Sequence, residues 1–277
     1  MTLQNKIDFA VIFTVKNANP NGDPLGGNRP RTTSDGLGEV SDVCLKRKIR
    51  NRLQTEGKAI FVQSEEFCDD GEKSLSDRFN KFKAQLPKAE QEDKKVIAKK
   101  ACEKWIDVRS FGQVFALKKS TDGADAVSIG IRGPVTIQSA FTTEMIAPEF
   151  MQITKSVNSE TTKDGGKSSD TMGMKHRVSR ATYVTYGSIS PQLAEATGFS
   201  DEDAESIKNA LKTLFDNDES SARPSGSMEI KKVVWWKHNS KSAQYSSAKV
   251  HNTLTVSNDG SIELKNFSDL IPEVIDG

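Results

Sequence analysis

The chain has 277 residues, 39 Lys and Arg against 38 Asp and Glu, a formal net charge of +1, and 35% hydrophobic and 28% charged residues. That length suits one large domain or a core domain with sizeable insertions, and the lean apolar fraction leaves much of the chain to loops and solvated helix. No window approaches the ~18 consecutive apolar residues of a membrane-spanning helix, and MTLQNKIDFAVIF lacks the charged-then-apolar order of a secretory leader, so a cytoplasmic protein without membrane contact is expected.

Apolar residues hold the odd positions Ile7, Phe9, Val11, Phe13 and Val15, the period of a strand with one buried face. Ala10 and Ile12 make its other face partly apolar, which predicts a central strand. The next stretch, NPNGDPLGGNRPR at 19–31, suits neither helix nor sheet. Gly22, Gly26 and Gly27 permit close backbone approach to a ligand, Asn19, Asn21 and Asn28 tolerate unusual turns, and Pro30 stiffens Arg29 and Arg31. Composition leaves two readings of this stretch open, an ordinary surface loop and a phosphate-facing one.

Ser41 is a good N-cap for a helix through about Leu53, with Leu45, Ile49 and Leu53 as its buried stripe. Lys46 and Arg50 form a parallel stripe with Arg47 nearby. Between Ser41 and Lys58 six Lys or Arg stand against Asp42 and Glu56, a local +4. Two cations one helical turn apart match the repeat of phosphates on a nucleic-acid strand, although such a stripe also occurs as simple solvation.

Residues 64–104 are strongly charged, and Lys88–Lys104 is predicted as a solvated helix after Pro87. IDVRSFGQVFAL (106–117) resumes strand character around Gly112, a turn is expected at TDGAD (121–125), and VSIGIRGPVTIQ alternates again. TKSVNSETTKDGGKSSDT (154–171), with Val157 its only large apolar residue, reads as a mobile loop or hairpin tip. Ser200 with Asp203 forms a capping box before Ala204, Ile207, Leu211 and Leu214, and MEIKKVVWW is a further strand. From Thr253 five acids stand against Lys265, a local −4. Strand, helix, strands, helix, strand is the split βαβ order of an RNA-recognition-motif-like or ferredoxin-like α+β sheet.

No GxxxxGK[ST] occurs, and DGLGEVS fails GxGxxG at Ser41, which excludes the usual nucleotide loops. Cys44, Cys68 and Cys102 are scattered without CxxC, and His176, His238 and His251 lack zinc spacing. Neither cofactor nor metal is expected.

NPNGDPLGGNRPR followed closely by DVCLKRKIRN, then DVRSFGQVFAL, GPVTIQSAF and MGMKHRV…ATYVTYGSIS in that order, resemble the backbone subunit of the type I-C CRISPR Cascade surveillance complex, the Csd-type of CRISPR-associated family seven in the RAMP superfamily. The likeness runs from about Lys6 to Ser190 and weakens after Ser200. It implies an RNA-recognition-motif-like palm with a large inserted helical region and a β-hairpin thumb. On that plan 1–57 holds the first palm strand, glycine-rich loop and first helix; 58–105 is a charged, mainly helical insertion; 106–138 holds palm strands; 139–180 is the thumb; and 181–277 holds the second helix, last strands and acidic tail. The resemblance also implies a cytoplasmic homo-oligomer. Copies line up as a helical filament along one guide RNA, beside other Cascade subunits including the processing and large subunits, and the guide pairs with target DNA.

Carried onto this chain, Lys46 and Arg50 would grip guide phosphates, with Arg47 a weaker candidate. Asn19, Asn21, Asn28, Arg29 and Arg31 would line the groove or meet a neighbour. Arg109, Ser110 and Gln138 would contact RNA, and Met172, Met174, Lys175, His176 and Arg177 would form the wedge and its charge. The competing reading for the two Met residues is core filling. Phe9 and Phe13 are expected in the core and not as a stacking platform. The resemblance implies no enzyme. The alternative is a metal-dependent endoribonuclease using a loop aspartate, Asp23 or Asp35, although no His lies nearby in sequence. A third reading, an independent single-strand binder, requires affinity as a monomer.

Overall fold

The structure, a computed structural model, describes residues 1–116, 128–154 and 172–277. The expected TDGAD turn and the KDGGK tip lie outside the described residues. Strand β1 (Ile7–Ala18) leads through the short β2 (Gly22–Asp23) and β3 (Arg29–Pro30) to β4 (Leu37–Val40) and helix α1 (Asp42–Thr55). The Ser41 hydroxyl accepts from the Cys44 N–H at the start of α1, where Asp42 also suits the helix dipole, and Gly57 at φ +79 turns the chain away after its end. Helices α2 (Leu75–Ala84), α3 (Lys94–Lys104) and α4 (Ile106–Phe111) follow, then β5 (Gly112–Ala116), β6 (Ser128–Arg132), β7 (Val135–Ile137), β8 (Ala140–Met145), β9 (Glu149–Thr154) and the long β10 (Met172–Ile189). The chain continues as α5 (Pro191–Thr197), α6 (Asp201–Lys212), β11 (Met228–Lys237), α7 (Ser247–His251), β12 (Leu254–Val256), β13 (Ile262–Leu264) and β14 (Glu273–Asp276). The capping box of Ser200 and Asp203 is present at the start of α6.

The main sheet is antiparallel and runs β14–β11–β1–β10–β8–β4, with β7 and β9 also pairing to β10. Strand β1 is central, as its two apolar faces predict. Phe9, Val11, Phe13 and Val15 join Leu45, Ile49 and Leu53 of α1 and Ala204, Ile207 and Leu211 of α6 in the largest core. Phe13 stacks on Tyr183 with ring centroids 5.2 Å apart, and Phe9 stacks on Trp235. Ala10 and Ile12 face the opposite way into a smaller core with Val234, Trp236, Val250, Leu254 and Leu270. Both helices therefore cover one face of the sheet, and the segment around α7, β12 and β13 covers the other. The fold is mixed α/β with an antiparallel sheet. Among the described residues no helix is long and apolar enough to cross a membrane.

Two local expectations change. The segment 106–111 is helix, ended by Gly112 at φ +79, and β5 pairs only with β6 in a separate ribbon. Within 106–138, among the described residues, β7 alone joins the main sheet. Nor is Lys88–Lys104 a solvated helix throughout. It becomes helical only at Lys94, and Ile97, Ala101 and Cys102 are buried against Phe61, Phe79, Phe82, Trp105 and Phe115 in a core of their own. Its surface lysines disguise an apolar stripe.

Candidate nucleic-acid interface

The Asn residues of 19–31 fold the loop upon itself. The Asn19 side chain is buried, and its Nδ2 donates to the Asn28 carbonyl at 2.7 Å. Asn28 sits at φ +59, which Asn tolerates better than most residues. The Asn21 Oδ1 accepts from both the N–H (3.0 Å) and the hydroxyl (2.9 Å) of Ser41, tying the loop to the start of α1. A Cβ at Gly22 would fall 1.8 Å from the Asn28 Oδ1 and 2.7 Å from its Cγ, so a larger residue there would displace the Asn28 side chain. Arg31 N–H donates to the Asn21 carbonyl at 3.1 Å, and Glu39 N–H donates to the Arg31 carbonyl at 2.9 Å, so the loop is pinned to β4 as well.

Held this way, the loop forms one wall of a groove of about 580 Å³. Asp23, Arg29, Arg31 and Glu39 line that wall, and Pro148, Phe150, Met174 and His176 line the other. Arg29 is exposed. An Arg31 terminal nitrogen lies 3.7 Å from an Asp23 carboxylate oxygen, while the Arg31 Nε is buried with no partner among the described residues. Strands β9 and β10 pair Phe150 with His176 and Gln152 with Met174, which sets these four side chains and Met172 on one face. Phe150 is 72% exposed, and Met172 and Met174 are exposed too. The Met residues are therefore not core filling. Two cations opposite a ring, a thioether and an imidazole can hold an anionic strand and pack against its bases. No sequence signal singled out Phe150, an isolated aromatic after Pro148 in a strand of mixed character.

The cationic stripe of α1 lies elsewhere. The Arg50 Nε donates to the buried Asp107 carboxylate at 3.0 Å, its side chain is only 13% exposed, and its guanidinium lies 5.0 Å over the Phe111 ring. Asp107 also accepts from the N–H groups of Phe61 (2.8 Å) and Val62 (3.0 Å). Arg47 donates to the Val62 carbonyl at 2.7 Å, and burial, helped by the neighbouring Arg50, lowers its pKa. Lys48 is buried against Asp218, and burial lowers its pKa as well. Lys46 pairs with Asp42 at 2.9 Å across one turn and keeps more exposure. Most cations of this helix bind the protein to itself.

Arg109 and Ser110 also point inward. Arg109 makes a bidentate pair with Asp203 at 2.8 and 2.9 Å, and Ser110 is fully buried. Gln138 is exposed at the end of β7, Lys175 is half-buried, and Arg177 pairs with Glu149 at 2.9 Å. Of the sequence-predicted residues, Arg29, Arg31, Met174 and His176 meet in the groove. Asp23 is taken up by Arg31, and the Thr33 hydroxyl donates to the Asp35 carboxylate, lowering its pKa. Among the described residues no group of three or more His, Cys, Asp or Glu side chains is placed to hold a metal ion.

A family model described as CRISPR-associated protein Cas7 matches residues 5–274. A Haloferax volcanii protein described as CRISPR-associated protein Cas7 is 25% identical over 288 residues, covering 99% of this chain and 82% of its own length. Two solved chains are similar at TM-score 0.47. One, from a CRISPR RNA-guided surveillance complex described as pre-nicking, is 17% identical and covers 83% of this chain and 78% of itself. The other, from a CRISPR RNA-guided surveillance complex, is 19% identical and covers 92% and 77%.

Proposed function

The chain belongs to the family of CRISPR-associated protein Cas7, and on that footing we propose that it is a non-catalytic, guide-RNA-binding filament subunit of a type I-C Cascade complex. The observation that carries this reading is the groove in which Arg29 and Arg31 face Phe150, Met174 and His176. Arginines take the phosphates of a ribose-phosphate strand without reading its sequence, and Phe150, Met172 and Met174 on one face of the β9–β10 ribbon separate its bases. The guide then selects target DNA by base pairing, so the protein needs no base-reading side chains.

The type I-C assignment is supported by the sequence blocks at 19–31, 42–51 and 172–190. An RNA-recognition-motif-like palm is supported by the order β11–β1–β10–β8 with α1 and α6 packed on one face, and a thumb by the β9–β10 ribbon. Lys46, Gln138, Lys175 and His176 remain guide contacts in this account. Arg47, Arg50, Arg109 and Ser110 instead hold the scaffold, as do Asn19, Asn21 and Asn28. Coexpression with a repeat-containing guide should give a ladder of RNA-bearing oligomers. Purification as an RNA-free monomer under those conditions would refute the assignment.

A further inference from the structure

The groove carries two carboxylates, and they differ. Asp23 has an Arg31 nitrogen 3.7 Å away and accepts from the Leu25 N–H at 3.2 Å. Glu39, half-buried on β4, is one ladder step from Arg31 and lines the same space. Among the described residues its carboxylate takes part in neither an ion pair nor a hydrogen bond. An uncompensated carboxylate in a groove built around two arginines works against a phosphate, because like charges repel and the repulsion grows near a protein surface. It suits a ligand that brings a hydrogen-bond donor.

A ribose-phosphate strand offers two kinds of donor. Amino and imino hydrogens of the bases change with sequence, whereas every ribonucleotide carries a 2′-hydroxyl. A subunit that must hold any guide can rely only on the second. We infer that Glu39 accepts the 2′-hydroxyl of a nucleotide whose phosphate lies against Arg29 and Arg31, and that this contact makes the groove select RNA over DNA. The inference rests on the RNA-binding reading above. Selection arises from both sides: the hydroxyl satisfies the carboxylate, and a deoxyribose leaves it beside the phosphates without a donor.

The test uses the full chain with Glu39→Ala and Glu39→Gln, and three probes of one sequence: single-stranded RNA, the same RNA with 2′-O-methyl groups, and single-stranded DNA. Thermal unfolding first establishes that both variants fold as the parent does. The parent should favour RNA over the other two by about tenfold per site, the effect of one hydrogen bond to a charged group. Glu39→Ala should bring RNA down to the DNA level, and Glu39→Gln, which keeps an acceptor oxygen, should fall between. The salt dependence should not become shallower, because no phosphate contact is lost. An unchanged RNA-to-DNA ratio in Glu39→Ala, or a loss that tracks base composition, would overturn the inference while leaving RNA binding intact. A parent protein that retains neither RNA nor DNA, even on strands long enough for several copies, would overturn the RNA-binding reading itself, and this inference with it.

Discussion

Replacing Asp107 with Ala removes an anion on which three donors converge. The side chain is 1% exposed, one oxygen accepts from the Phe61 N–H, and the other accepts from the Val62 N–H and the Arg50 Nε. Breaking a buried ion pair from one side costs about 3–5 kcal/mol, and each abandoned buried N–H about 1 kcal/mol or more. The terms overlap, since Arg50 keeps the Phe111 ring and some solvent, so about 4 kcal/mol is expected in total. Asp107→Asn keeps an acceptor oxygen and should lose about half of that. Arg50→Met should cost less than Asp107→Ala, because Asp107 retains both backbone donors. The assay is urea unfolding of the full chain followed by tryptophan fluorescence, to which Trp105, packed against Phe61, contributes. The midpoint should fall at an unchanged slope, and the double variant should show coupling above about 1 kcal/mol. An Asp107→Ala protein within about 1 kcal/mol of the parent would refute the claim that this pair is structural.

Phe150→Ala should weaken guide retention by about tenfold, near the value of one base–aromatic stack, and leave thermal stability unchanged because the ring is 72% exposed; equal retention would remove Phe150 from the interface. Acidification should destabilise the sheet face covered by α7. Burial lowers the His251 pKa below 6.5, so its neutral form favours the folded state, and that contribution is present above pH 6.5 and lost as pH falls through the folded value. Burial works against the Asp8 carboxylate, but hydrogen bonds from His238 and Ser247 and the nearby Lys6 outweigh it, so its contribution is present above pH 3.8 and lost as pH falls through the lowered value. His251→Gln should flatten the first of these two limbs in a stability-against-pH profile, and an unaltered profile would contradict the assignment.

What was legible in the chain was local. The alternation from Ile7 to Val15, the Ser41 cap and the Ser200–Asp203 box each lie within a few residues, and each appears where its pattern places it. The fate of α1's cations was not legible, because their partners are remote: Asp107 stands 57 residues from Arg50, and Asp218 stands 170 from Lys48. A basic stripe looks the same in sequence whether it faces phosphates or buried carboxylates. The charge of α3 likewise masked Ile97, Ala101 and Cys102. The groove could be only half read. Arg29 and Arg31 sit in an unusual loop, whereas Phe150 and Glu39 gain meaning only when β4 and β9 bring them to the same space.

Which arginines meet the guide decides where the RNA lies on this protein. The direct measurement is the slope of log affinity for guide RNA against log salt concentration, for the parent, for Arg29→Ala with Arg31→Ala, and for Arg50→Met. Losing two phosphate contacts on a single strand should make the slope shallower by about 1.4 in the double variant, at ~0.7 per contact, and leave Arg50→Met on the parental slope. A parental slope in the double variant, with a shallower one in Arg50→Met, would contradict the groove and put Arg50 on the guide in place of Arg29 and Arg31.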